Sequence, residues 1–330
     1  DYLQLLFINL KNKMGVYLYN TETPVQSMVN NIENLPKKIH IPTMPITKNI
    51  GIYKIPNIGR SFGLLQGIEW LVDLTNNSFP DIAKDEGEIF KNKLGTIHKY
   101  TMAGFSFVVK STPDQYKKLE HIHEHFVGIN SINNLLKDVP NFVYIFGKYN
   151  DSNIIVEYIH GETLGEYISS TSFNVEDFMT ILVQICLALE IAQKRCGFVH
   201  WDLKPWNIML QKFSKPKTFD YALSYDTIYR VKTSIIPVII DYGKSHVIYN
   251  NTHHGFVNPY KFSTVQDILT LLVTSIHQII SEKRLEKNDF KKMMNLADFI
   301  TNTRYRKDPF STARDVKELD RKSTRLNSSH

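Results

Sequence analysis

Apolar and polar positions along this chain follow two rhythms, and the elements lie where one gives way to the other. Phe105–Lys110 (FSFVVK) alternates at first and ends in a lysine, as a half-buried strand does. Two further apolar runs, Pro140–Gly147 and Asn153–Ile159, also read as strands. Between them the period becomes helical. Thr112 stands as a cap, Pro113 in the first turn and Gln115 as the partner of a capping box, which predicts a helix running to Leu136. Asn174 caps a second helix, from Val175 to about Arg195, which Gly197 ends and whose nearly all-round apolarity predicts burial. A third opens at the capping box Ser263–Gln266 and continues through Ile280, with basic helical pieces beyond Ser281 that include Thr312–Leu319. Upstream, Pro24, Pro36, Pro42, Pro45 and Pro56 break the chain, so no long element is expected before Phe62–Leu74.

Two stretches break the rhythm with chemistry. In Val199–Leu210 (VHWDLKPWNIML) two short apolar pieces enclose an Asp, a Lys two residues on and an Asn three beyond that. In Ile235–Gly243 (IIPVIIDYG) an apolar strand delivers an Asp two residues before a glycine. The polar, basic and aromatic segment 211–233 between them is expected to be an inserted, extended hairpin.

Composition changes this picture little. The chain has 330 residues and a formal net charge of +6. That charge is mild for its size; it allows an acidic or nucleic-acid partner without arguing for one. Cys186 and Cys196 lie in or beside an apolar helix and suggest a reducing compartment rather than a disulfide framework. The nearest approach to a membrane span, Ile268–Ile280, is too short and carries polar residues. The expected location is therefore cytoplasmic. Residues 320–330 (DRKSTRLNSSH) match, without mismatch, the translation of a common sequencing-library adapter, and supply two of the six net positive charges. They are expected to stand outside the fold, with the natural C-terminus cut away.

The Asp-x-Lys-x-x-Asn loop resembles the catalytic loop of protein kinases, and Asp241–Gly243 resembles the metal-binding Asp-Phe-Gly turn of that family. The closest likeness is to the eukaryotic-type Ser/Thr kinases of nucleocytoplasmic large DNA viruses, which would put the chain in the host cytoplasm or the virion. It lies in Glu124–Gly128, Pro140–Phe142, His200–Asn207 and Val238–His246. The resemblance implies an α+β, bilobal protein-kinase-like fold that uses ATP and Mg2+ and a protein substrate with a Ser or Thr acceptor. It places an N-terminal extension of unknown role at 1–79, a small lobe at 80–156 and a large lobe at 157–319, cut short at its end.

The same resemblance assigns the site residues. Asp202 accepts the acceptor hydroxyl's proton and Lys204 steadies the transferred phosphoryl group. Asn207 and Asp241 hold magnesium. Lys110 holds the α- and β-phosphates and is itself held by Glu124, with Glu120 as the rival. Gly87 belongs to the phosphate-covering loop, where Ile82 and Lys84 replace the other glycines. The Glu157 carbonyl and Ile159 amide meet the adenine edge, and Glu162 is a candidate for a ribose hydroxyl. His200 and Asp267 support the catalytic loop. Trp201 stands where the family has an arginine, and no Ala-Pro-Glu follows Asp241. Two other readings therefore stay open: a nucleotide-binding scaffold of the pseudokinase kind, and a small-molecule kinase of the aminoglycoside or choline type. His121, Glu124 and His125 also form a zinc-peptidase-like H-x-x-E-H, but no further ligand is marked in the sequence.

Overall fold

The computed structural model of the protein describes residues 62–75, 78–102, 104–150, 152–224, 226–255, 266–283 and 285–297. The expected pieces Ser263–Val265 and Thr312–Leu319, and the adapter-like tail, lie outside the described residues.

A five-stranded antiparallel sheet forms the small lobe. Its strands are β1 (Lys84–Asn92), β2 (Gly95–Met102), β3 (Phe105–Ser111), β4 (Ile145–Asn150) and β5 (Asn153–Glu157), in the order β1-β2-β3-β5-β4. Alternation in β3 puts Phe107 and Val109 into the core and leaves Lys110 on the other face. Phe107 packs edge-on against Phe79 at 5.5 Å and Phe146 at 5.3 Å, which makes an aromatic core on that side.

Helix α1 (Phe62–Thr75) covers this core by burying Leu65, Ile68 and Val72, which fall on one helical face. The expected boundary at residue 80 is thus too late. Residues 62–79, assigned from sequence to an extension, pack into the small lobe because their apolar face and Phe79 close its sheet.

Helix α2 (Gln115–Val127) crosses the opposite side. Its cap is Asp114, whose side chain accepts from the Lys117 amide at 2.9 Å, and not Thr112. Thr112 instead donates to the Leu94 carbonyl and accepts from the Asp114 amide, so it ties the helix start to the β1–β2 turn. A π-helical turn, Gly128–Ile132, and a short α turn, Asn133–Leu135, continue α2 as far as the sequence predicted. A Cβ on Gly128 would fall 2.2 Å from Ile145, so only glycine lets this turn lie against β4.

In the large lobe, α3 (Leu164–Ser169) has a full capping box between Thr163 and Glu166. Helix α4 (Val175–Cys196) is the buried helix read from its pattern, with Asn174 accepting from two first-turn amides and Gly197 ending it at φ +58°. A two-residue strand β6 (Glu162–Thr163) joins β7 (Ile208–Ser224) and β8 (Thr227–Ile239), so the 211–233 segment is an extended hairpin. It does not stand free, because Phe219, Tyr221 and Val231 face the core. The Tyr221 hydroxyl donates to Asn141 at 2.9 Å, and the Gln184 side chain of α4 donates to the Ile235 carbonyl at 3.0 Å. The small ribbon β9 (Val247–Tyr249) and β10 (Thr252–His254) follows, then α5 (Gln266–Glu282) and α6 (Lys287–Ala297). No helix among the described residues is long and apolar enough to cross a membrane.

His246 ties these parts together: its Nδ1 donates to the Gly197 carbonyl at 3.0 Å, and its backbone pairs with Val199. Burial pushes this imidazole down to about 4 from its ordinary 6.5. Burial, with Lys110 adding, does the same for His121. Below pH 6.5 the unfolded chain takes up these two protons and the folded chain does not until about pH 4, so these two histidines lower stability as the pH drops across that window. The melting temperature is expected to be lower at pH 5 than at pH 7.5, and a flat profile between them would refute this assignment.

Candidate active site

The groups that the sequence singled out converge between the lobes. Lys110 leaves β3 and meets Glu124 of α2, with Nζ 2.7 and 3.0 Å from the two carboxylate oxygens. Glu120, the rival, pairs with Lys117 instead. Both oxygens of Glu124 are thus turned to Lys110, and His121 Nδ1 donates to the Ser152 carbonyl, which accounts for two members of the peptidase-like pattern. The Lys110 amine also reaches Asp241 at 3.4 Å. Desolvation opposes its charge, but Asp241 and Glu124 more than offset this and hold Lys110 above the ordinary lysine range. In return Lys110, against desolvation, holds Asp241 well below the usual carboxylate range. Burial, against the pull of Lys110, pushes Glu124 up.

Asp241 follows β8 after one residue, Ile240. Its φ of +68° is in the left-handed region, which an Asp tolerates better than most residues. The turn is anchored by Tyr242, a buried ring whose hydroxyl donates to the Val143 and Ile239 carbonyls at 2.9 and 3.1 Å. A backbone bond of 3.0 Å from the Ile240 amide to the Asn207 carbonyl brings this turn beside the catalytic-type loop.

That loop is fixed by the buried Asp267 in the first turn of α5. Its two oxygens accept from the His200 and Trp201 amides at 2.7 and 2.8 Å. Trp201 has φ +65°, so these bonds hold a backbone conformation that a tryptophan alone disfavours. Desolvation pushes the Asp267 carboxyl up, opposed by His200 and by these amide hydrogen bonds. His200 is buried, with Nε2 donating to the Ile240 carbonyl at 2.8 Å and Nδ1 accepting from the Asp202 amide at 3.3 Å. Asn207 donates its side-chain N–H to the Asp202 carbonyl at 2.8 Å, which commits the amide nitrogen and leaves an oxygen for a cation. With the Asp241 carboxylate beside it, this is a hard-oxygen donor set that fits Mg2+. Lys204 Nζ lies 3.0 Å from Asp202 Oδ1 and 5.3 Å from the Trp206 ring centre.

Some expectations fall elsewhere. Gly87 does not lie at the tip of the first hairpin. It sits within the exposed strand β1, opposite Lys99, at φ +115° and beside a bulge. The tip is Asn92–Gly95, where the Asn92 side chain accepts from the Leu94 and Gly95 amides at 2.8 and 3.0 Å. Gly95 comes so close to β3 that a Cβ would lie 2.4 Å from the Ser111 carbonyl oxygen. The missed signal was Asn92 followed by Gly95, a turn-forming pair three residues apart. Glu157 ends β5, with its amide donating to the Tyr144 carbonyl at 2.9 Å and its side chain accepting from the Tyr144 amide at 3.1 Å. Ile159 is buried just beyond it. Glu162 is engaged by Lys212 at 2.6 Å.

Residues 101–257 match the family model of the protein kinase domain. Similar proteins include an uncharacterized protein, 035R, of Invertebrate iridescent virus 3, 32% identical over 303 residues that cover 79% of this chain and 27% of the relative. The probable kinase 098L of the same virus is 36% identical over 161 residues, covering 48% of this chain and 30% of that protein. Human serine/threonine-protein kinase Nek10 is 34% identical over 110 residues, 31% of this chain and 9% of Nek10. The chain spans less than a third of the length of each. A β-sheet lobe with its crossing helix, a larger lobe carrying the loop and the Asp241 turn, and the matching family model together make this the fold of a protein kinase domain.

Proposed function

We propose that the chain transfers the γ-phosphoryl group of ATP to serine or threonine hydroxyls of proteins. The observation that carries this reading is the position of one ammonium group. Lys110 bonds Glu124 and Asp241 together, so the small-lobe sheet, α2 and the metal-binding turn are locked in one arrangement. Transfer would use this ammonium on the phosphates, which is why its placement between the two carboxylates favours catalysis. The Lys204–Pro205 pair after Asp202, and the similarity to the serine/threonine-protein kinase Nek10, favour Ser/Thr acceptors on proteins over small molecules.

In this reading Lys110 lies on the α- and β-phosphates, and the backbone at Glu157 and Ile159 meets the adenine edge. Magnesium held by Asn207 and Asp241 would offset charge on the phosphate oxygens. Asp202 takes the proton of the acceptor hydroxyl as its oxygen bonds to the γ-phosphorus. The bond from that phosphorus to the bridging oxygen breaks, and ADP leaves with the electron pair. Lys204 neutralises charge on the group in flight. Asp267 and His200 do no chemistry; they hold the loop backbone so that Asp202 is presented in one geometry, and most of the rate enhancement comes from such positioning.

The test is transfer of labelled phosphate from Mg·ATP to the protein itself and to mixed basic proteins, followed by phospho-residue analysis. Phosphoserine or phosphothreonine is expected, with a loss of about 10²–10⁴-fold in Asp202→Ala. ATP binding without transfer to any protein would instead favour the scaffold.

A further inference from the structure

Asp202 is met by two ammonium groups rather than one. Lys204 lies on Oδ1, and Lys244 Nζ lies 3.1 Å from Oδ2. Lys244 lies within Val238–His246, one of the segments that carry the sequence resemblance, but no role was assigned to it there. Its backbone is fixed from both sides. The Ser245 amide donates to the Tyr242 carbonyl at 2.9 Å, closing a turn over Gly243 and Lys244. His246 and Val199 exchange backbone hydrogen bonds of 2.7 and 3.0 Å just beyond. Tyr242, Gly243, Ser245, His246 and Val247 are all buried, and Lys244 alone in this stretch is not. A rigid turn thus presents a single cation to the carboxylate that faces the acceptor.

We propose that Lys244 reads the acceptor, selecting hydroxyls that have a carboxylate or phosphate group close by in the acceptor chain. This rests on the protein-kinase reading above. For the acceptor hydroxyl to donate to Asp202, one of the two oxygens must open. Lys204 is 19% exposed and lies against Trp206, whereas Lys244 is 38% exposed, so Lys244 gives way at the smaller cost. Once displaced it needs a counter-charge. An anion beside the hydroxyl supplies one as the oxygen is surrendered, a neutral acceptor leaves the amine to water, and a basic acceptor repels it. A lysine is a point charge rather than a planar fork, so it serves carboxylate and phosphate alike. A partly exposed ion pair of this kind is worth about 3- to 30-fold in affinity.

The experiment uses the full chain, Lys244→Met and Lys244→Glu. Four fluorescent peptides share one central serine, flanked by glutamates, by a phosphoserine, by alanines or by lysines. Anisotropy in Mg·ADP gives binding, labelled phosphate gives KM and kcat, and melting temperatures control for folding. The wild type is expected to favour an anionic peptide about 10-fold, mainly in KM. The glutamate and phosphoserine arms show which anion is preferred. Lys244→Met should level the series, and Lys244→Glu should turn it toward the lysine-flanked peptide. An unchanged rank order in Lys244→Glu, or a wild type that ignores flanking charge, overturns the proposal. If binding follows charge through Lys244 but no peptide is phosphorylated, the transfer reading fails and takes acceptor selection with it, leaving Lys244 as an anion contact alone. If phosphate moves without regard to charge, the transfer reading stands and acceptor selection fails.

Discussion

Asp241→Ala is expected to lower phosphoryl transfer by about three orders of magnitude or more, to background. The side chain has two roles that no neighbour duplicates. It adds a second carboxylate to the Lys110 amine, at 3.4 Å, and in the proposed mechanism it is the anionic ligand of the magnesium ion. Loss of a single preorganised donor to transition-state charge costs about 10²–10³-fold, and loss of a metal's neutralisation adds to that. The fold should survive, because the Lys110–Glu124 pair and the Tyr242 anchor do not depend on this carboxylate. Alanine is disfavoured at φ +68°, by roughly 1–2 kcal/mol. Asp241→Asn is the cleaner variant, since asparagine accepts that backbone and removes only the charge. Equal turnover by wild type and Asp241→Asn at saturating Mg·ATP, in the assay with labelled phosphate, would sink the assignment.

Asp267→Ala is expected to show the largest loss of stability. Its carboxylate is buried and accepts from the amides of His200 and Trp201. Without it two amides next to a buried histidine lose their acceptors, at about 1–3 kcal/mol each. The left-handed Trp201 also loses the contact that holds it. A total near 2–6 kcal/mol would remove a large part of a domain's usual stability. Asp267→Asn keeps one acceptor oxygen and should fall between. Urea unfolding of the three proteins measures this directly. Stability within about 0.5 kcal/mol of wild type in Asp267→Ala would mean that the loop is held by other contacts.

Sequence alone exposed the chemistry more readily than the architecture around it. Asp202, Asn207 and Asp241 could be picked out because each lies in a short run, Val199–Leu210 or Ile235–Gly243, that resembles a kinase motif. The choice of Glu124 over Glu120 came from the apolar face that follows it, and the structure pairs Glu124 with Lys110. Gly87 was chosen for its fit, with Ile89, to the family's glycine frame, which says nothing of where the first strand turns. Strand β1 instead runs through it, exposed along its whole length, and therefore carries no alternation to reveal it. The role of α1 was hidden for a different reason. Its Leu65, Ile68 and Val72 show that one face is apolar, but not which sheet that face covers. Lys244 was invisible as a site residue because its partner is 42 positions away, and only the turn fixed by Tyr242 and His246 brings them together.

The hairpin of β7 and β8 has a consequence for how this protein can change. Its ladder begins at Ile208 opposite Ile239 and returns the chain to the place it left, so Asn207 and Asp241 stay neighbours whatever the length of the arm between them. Up to Leu223 the arm is tied to α4, by packing and by Lys194 Nζ donating to the Leu223 carbonyl at 3.1 Å, whereas Ile228 near its outer end is exposed. Residues added or removed there in cross-strand pairs preserve the register below. The chemistry is thereby insulated from drift at the arm's outer end, where a lineage can lengthen, shorten or recharge a surface without re-evolving the site at its base.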